Sequence, residues 1–164
     1  MQIDITMGTI RQAIEIENFG YGFYNTMRDF VNDRSAQSII SHLAEMELEH
    51  MKWLEEEYKR TLQNSDVLNE SGAQPISIIA KGEIFLDHRR LPEIFSDFDA
   101  VKAIKFAIDI EKRSVEFYKK NQKIIDDYET RNLFGRLADF EKDHIALLTD
   151  NLKSLERTGD WKYK

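Results

Sequence analysis

Apolar side chains recur three and four residues apart at Ile10, Ala13, Ile14, Ile16, Tyr21, Tyr24 and Met27, the period of one helix face. They predict a helix from about Thr6 to Val31. Asn32, Asp33 and Arg34 have turn chemistry, and Ser35 is the expected N-cap of a second helix from about Ala36 to Leu62. The pattern then returns: a third helix from Ser96 or Asp97 to about Lys123, a break at Asp126 and Asp127, and a fourth helix to Arg157, stopped by Gly159. Turns this short force each helix pair to lie antiparallel.

The return is a repeat. Residues 10–62 align without gaps on residues 104–156, at a constant offset of 94. Ile14-Glu15-Ile16-Glu17 falls on Ile108-Asp109-Ile110-Glu111, and Phe23-Tyr24 on Phe117-Tyr118. Leu43-Ala44 falls on Leu137-Ala138, Glu47 and His50 on Glu141 and His144, and Leu54 on Leu148. Between the halves, Gln63 to Phe95 contains both prolines, Pro75 and Pro92, together with Gly72 and Gly82. Its apolar residues Ile76, Ile78, Ile79, Ile84, Phe85 and Leu86 predict that it packs along the bundle as a short helix or strand. A long crossover is what two hairpins related by a two-fold axis require. The expected fold is one all-α domain over residues 1–164, an antiparallel four-helix bundle of two pseudo-symmetric hairpins (about 6–62 and 96–157) joined by a crossover (about 63–95).

Composition agrees with long helices, since 164 residues hold only 7 glycines and 2 prolines. A net charge of −7 argues against a nucleic-acid partner, which would want a basic face. The absence of cysteine removes disulfides, thiolate catalysis, Fe–S clusters and Cys₄ iron. Met1-Gln2-Ile3-Asp4 shows neither a basic nor an apolar leader, and no apolar run approaches the roughly 20 residues of a membrane span. The expectation is a cytoplasmic protein with no membrane partner.

The acidic and histidine residues change the picture most. With the first turn centred near residues 33 and 34, residue i of the first helix is level with residue 67 − i of the second, which sets Glu17 level with His50. Glu47 shares the face of His50, because three residues advance about 300° and roughly 4.5 Å. By the repeat, Glu111 is level with His144, and Glu141 lies one turn away. A lone Glu-x-x-His on a charged helix is usually a solvated face. Here all six residues lie on apolar stripes, where unpaired carboxylates would be costly to bury. Four glutamates neutralise two divalent cations, and one imidazole for each metal suits iron, or manganese, better than calcium or magnesium.

Other residues read less sharply. Tyr24 and Tyr118, two turns beyond Glu17 and Glu111, are either hydroxyls that hydrogen-bond a ligand carboxylate or ordinary core aromatics. Phe23, Phe117, Trp53 and Leu148 read as packing, His42 as solvent-facing, His88 as an exposed crossover residue, and Glu55-Glu56-Glu57 as a solvated face.

Glu17 seven residues before Tyr24, Glu47-x-x-His50, Glu111 seven before Tyr118, and Glu141-x-x-His144 resemble the ferritin-like di-iron carboxylate superfamily, within it the rubrerythrin and erythrin group. The resemblance covers nearly the whole chain except the crossover and the last few residues. It implies two iron ions, with Glu47 and Glu141 as bridging carboxylates, Glu17 and His50 completing one metal, and Glu111 and His144 the other. It further implies an oxidoreductase of oxidative-stress chemistry that reduces hydrogen peroxide or dioxygen. An iron-sequestering ferroxidase and a di-iron oxygenase of an organic substrate are the alternatives. There are two departures. Typical rubrerythrins carry a rubredoxin domain, whereas this chain has no cysteine; they also carry a second glutamate three residues after the third-helix ligand, where this chain has Ser114. With no glycine-rich nucleotide loop either, electrons are expected from a separate donor such as a rubredoxin-like protein. Fused halves favour a homodimer over a cage.

Overall fold

The computed structural model describes residues 2–64 and 90–162. Its helices are α1 (Gln2–Phe30), α2 (Arg34–Gln63), α3 (Leu91–Ser96), α4 (Ala100–Gln122) and α5 (Tyr128–Thr158), and the described residues contain no strand. α1 packs on α2 and α4 on α5, giving two antiparallel hairpins of a ferritin-like bundle. No helix among the described residues is long and apolar enough to cross a membrane.

Each long helix after the first starts on an aspartate. Asp33 accepts the N–H of Ala36 at 2.9 Å, Asp99 that of Lys102 at 3.0 Å, and Asp127 that of Thr130 at 2.8 Å. The expected Ser35 cap is therefore wrong: Ser35 lies inside the first turn of α2. Asp33 satisfies the orphan donor and also places a negative charge at the positive end of the helix dipole. α4 likewise begins at Ala100, later than expected, because Asp99 is its cap. α1 begins at Gln2, four residues before the expected Thr6, and the buried Thr9 returns its hydroxyl to the Ile5 carbonyl at 2.7 Å. At the far end Gly159 takes φ 77° and closes α5 on the Leu155 carbonyl at 2.9 Å. A side chain there would be strained, so glycine stops the helix.

The short helix α3 lies within the expected crossover; Pro92 sits in its first turn and Ile94 is buried. Ile76, Ile78, Ile79, Ile84, Phe85, Leu86 and His88 fall outside the described residues. His42 is exposed, as expected. The glutamate run is not uniformly solvated: Glu55 and Glu56 are exposed but Glu57 is buried. Three successive helical residues cannot share one outward face, and Glu57, seven after His50, turns inward. It accepts from Arg60 at 2.9 and 2.6 Å and from the Thr130 hydroxyl at 2.5 Å, and Arg60 also reaches Asp127. The cluster ties the end of α2 to the start of α5.

Two apolar clusters fill the interior. One gathers Phe23, Met27, Ile40 and Leu43 with Ile104, Phe106 and Leu148. The other gathers Ile10, Ala13, Leu54 and Tyr58 with Tyr118, Phe134 and Leu137. On every long helix the residues of the expected ligand set fall between these two clusters in the chain, which places them in a polar layer walled by apolar side chains.

Candidate metal centre

The polar layer brings together all six residues of the expected ligand set. Glu17, Glu47, His50, Glu111, Glu141 and His144 are each at most 5% exposed. Their donor atoms form two compact groups, Glu17/Glu47/His50/Glu141 and Glu47/Glu111/Glu141/His144, within each of which one atom per residue lies within 4.8 Å of the others. Glu47 and Glu141 belong to both.

Each imidazole turns Nδ1 into this layer. His50 Nδ1 stands 3.0 Å from Glu17 Oε2, 3.4 Å from Glu141 Oε1 and 4.0 Å from Glu47 Oε2. His144 Nδ1 stands 3.0 Å from Glu141 Oε2, 3.2 Å from Glu47 Oε1 and 3.6 Å from Glu111 Oε1. Trp53 and Phe140 pack together against His50, each ring centroid 5.4 Å from the imidazole and 5.5 Å from the other, and the two imidazoles stack at 5.6 Å. Trp53 and Phe117 are half-buried, while Phe23 and Leu148 are fully buried; all four pack, as expected. Phe140, four residues before His144, was not singled out, although its place seven residues after Leu133 and three after Leu137 puts it on the helix face of His144.

Tyr24 and Tyr118 take the first of their two expected roles, with a crossing that spacing alone does not show. Tyr24 donates its hydroxyl to Glu111, and Tyr118 donates to Glu17. Each tyrosine thus holds a carboxylate of the opposite hairpin. Both hydroxyls sit well above the usual phenol range, through burial first and then the charges of Glu111 and Glu17 respectively.

The electrostatics are those of too many carboxylates in too little water. Burial, then the charges of Glu141, Glu17 and Glu111, push Glu47 well above the usual carboxylate range. Burial, then Glu17 and Glu111, raise Glu141 to about 7. Burial also acts to raise Glu17, but hydrogen bonds from His50, Glu47 and Tyr118 outweigh it and hold Glu17 low. For His50 burial favours the neutral ring, yet Glu141 and Glu17 prevail and lift it to about 9. His144 is raised in the same way by Glu111, Glu141 and Glu47.

Does this set fit a pair of metal ions? The buried atoms left without a hydrogen-bond partner are the test. Glu47 Oε1, both oxygens of Glu141 and His144 Nδ1 are among them. His144 Nδ1 has three carboxylate oxygens within 3.6 Å and hydrogen-bonds to none of them, so these atoms face a common space rather than one another. Orphaned buried acceptors are rare and costly. Cations held in that space would satisfy these four atoms, and mixed carboxylate and imidazole donors suit iron or manganese. The residues present fit two such ions, with Glu47 and Glu141 shared.

Comparison with known proteins bears on the fold and the family. No curated protein sequence matches the chain. The structure of a hypothetical protein from Pyrococcus furiosus is similar to it, with a TM-score of 0.69 at 20% identity, covering 92% of this chain and 90% of that one. At that identity the likeness establishes the fold. The model of the Rubrerythrin family matches residues 9–152. Since that span takes in all six buried donors and both crossed tyrosines, the chain belongs to the rubrerythrin family.

Proposed function

We propose that the chain is a non-haem di-iron oxidoreductase that reduces hydrogen peroxide or dioxygen with electrons from a separate rubredoxin-like protein. The observation that carries this reading is the sharing of Glu47 and Glu141 between two buried ligand groups. A ferrous pair there would supply the two electrons that one peroxide consumes. The chain's own residues set the conditions around it. Tyr24 and Tyr118, held protonated, keep donating to Glu111 and Glu17 and so fix the orientation of both carboxylates. Leu43, Leu54, Leu137 and Leu148, above and below the polar layer, keep bulk water from it. No cysteine occurs in the 164 residues, which supports a donor outside this sequence. We place the working unit in the cytoplasm as a homodimer.

The test is stopped-flow mixing of the ferrous protein with peroxide. One oxidation burst, equal in amount to the metal pairs, is expected; NADH alone should not restore it, whereas a reduced rubredoxin should. Sustained turnover on NADH without a second protein would sink the external donor. Absence of any burst would sink the redox role. Metal analysis provides the companion result: Glu47→Ala should abolish binding of the pair and Glu55→Ala should leave it intact. Native mass separates a homodimer from the shell that iron sequestration would need.

A further inference from the structure

Three glycines fall inside α1: Gly8, Gly20 and Gly22. Apart from proline, glycine is the poorest helix former, so each weakens the helix and calls for a reason. A Cβ added at Gly8 or Gly22 would meet nothing within 4 Å. At Gly20 it would stand 3.0 Å from Cδ, 3.2 Å from Cγ and 3.2 Å from Oε2 of Glu47, its three nearest neighbours. The side chain missing at position 20 therefore makes room for the carboxyl end of one residue.

That residue is one of the two carboxylates common to both ligand groups. Glu47 Oε1 stands 3.2 Å from His144 Nδ1 and its Oε2 4.0 Å from His50 Nδ1, so its two oxygens face the two groups. Gly20 itself is buried and lies three residues after Glu17, on the face of α1 that supplies a ligand. The repeat sets Ser114 at the equivalent place in α4, where its buried hydroxyl donates to its own Ile110 carbonyl at 3.1 Å. Only the first half leaves the position without a side chain.

We propose that Gly20 is a positioning residue for Glu47: the bare backbone of α1 is the surface against which the Glu47 carboxyl group lies while its oxygens span the two metal positions. This rests on the reading of the cluster as a two-metal centre. A methyl group at position 20 lies nearer to Cδ than ordinary contact allows and displaces the carboxylate by a few tenths of an ångström. α1 cannot recoil, because Glu17 and Phe19 beside it are packed into the core. The cost falls on metal geometry, on the order of the 10- to 100-fold loss of affinity that follows when a ligand loses its supporting neighbour.

The experiment titrates the full chain with Co²⁺, a probe whose visible spectrum reports coordination. Stoichiometry is followed directly, and affinity by chelator competition. Gly20→Ala, Gly22→Ala, Glu47→Asp and the double variant Gly20→Ala/Glu47→Asp are compared. Gly22→Ala should bind two equivalents with the parent spectrum and affinity. Gly20→Ala should bind more weakly, with an altered spectrum. In the Glu47→Asp background the carboxyl group is one methylene shorter, so adding Gly20→Ala should cost nothing further, a direct reading of their coupling. If Gly20→Ala lowers the melting temperature of metal-free protein, shortening residue 47 should restore it. Parent-like affinity and spectrum in Gly20→Ala would overturn the proposal, as would a loss carried in full into the double variant. Failure of the parent chain to bind two equivalents would overturn the metal centre itself, and this proposal with it.

Discussion

Tyr118 and Glu17 are 101 positions apart in the chain, yet the hydroxyl of one donates to the carboxylate of the other at full burial. Replacing Tyr118 by Phe removes one oxygen and leaves the ring in place, so no cavity confuses the result. The metal-free protein should lose about 1–3 kcal/mol, the usual cost of removing a buried hydrogen bond to a charged group. The urea midpoint should fall with the slope unchanged. Tyr24→Phe, which frees Glu111, should behave alike. An unchanged midpoint in both would mean that the hydroxyls do not hold these carboxylates. The residue types and their heights were readable from the sequence because helix spacing fixes both. The crossing was not, since it depends on how two hairpins dock, and no local spacing encodes that. Gly20 was opaque for the same reason: what it accommodates lies on another helix, 27 residues on.

Helix ends are where local rules competed with one another. Asn32, Asp33 and Ser35 are all plausible caps, and what decides among them is which side chain reaches a free N–H. Asp33 does so, on Ala36. Asp33→Ala should therefore cost about 1 kcal/mol, the typical value of an N-cap, while Ser35→Ala should fall within about 0.5 kcal/mol of the parent. Equilibrium denaturation checks both, and the reverse order would restore Ser35 as the cap. The existence of the four long helices was plain from their apolar period, and Gly159 marked the last stop correctly. The inward turn of Glu57 was hidden by the two exposed glutamates before it. Its burial becomes intelligible only once Arg60 and Thr130 are seen around it.

For the whole molecule, the repeat at an offset of 94 residues carried most of the information. Once each half aims two carboxylates and an imidazole at one level, docking the halves concentrates the charge in one layer. That layer makes the metal-free fold sensitive to pH in a definite direction. Glu141 is raised to about 7 and His50 to about 9, so between about pH 4.5 and 9 the folded chain holds protons that the unfolded chain gives up. A raised carboxylate destabilises the fold as pH climbs past its unfolded value, and a raised histidine loses its contribution as pH climbs through its folded value. Glu47 and His144 shift the same way. Glu17, held low, acts in the opposite sense only below the ordinary carboxylate range. The melting temperature of metal-free protein should therefore fall steadily as pH rises from about 5 to about 9. Cations replace those protons, so metal binding should release them and strengthen with pH across the same window. The gap between the loaded and metal-free melting temperatures should widen accordingly, because stabilisation by a bound ligand grows with its affinity. Calorimetric scans at several pH values, with and without Fe²⁺ under anaerobic conditions, measure it. A metal-free melting temperature that rises through the window would mean that the six side chains do not share one poorly solvated space.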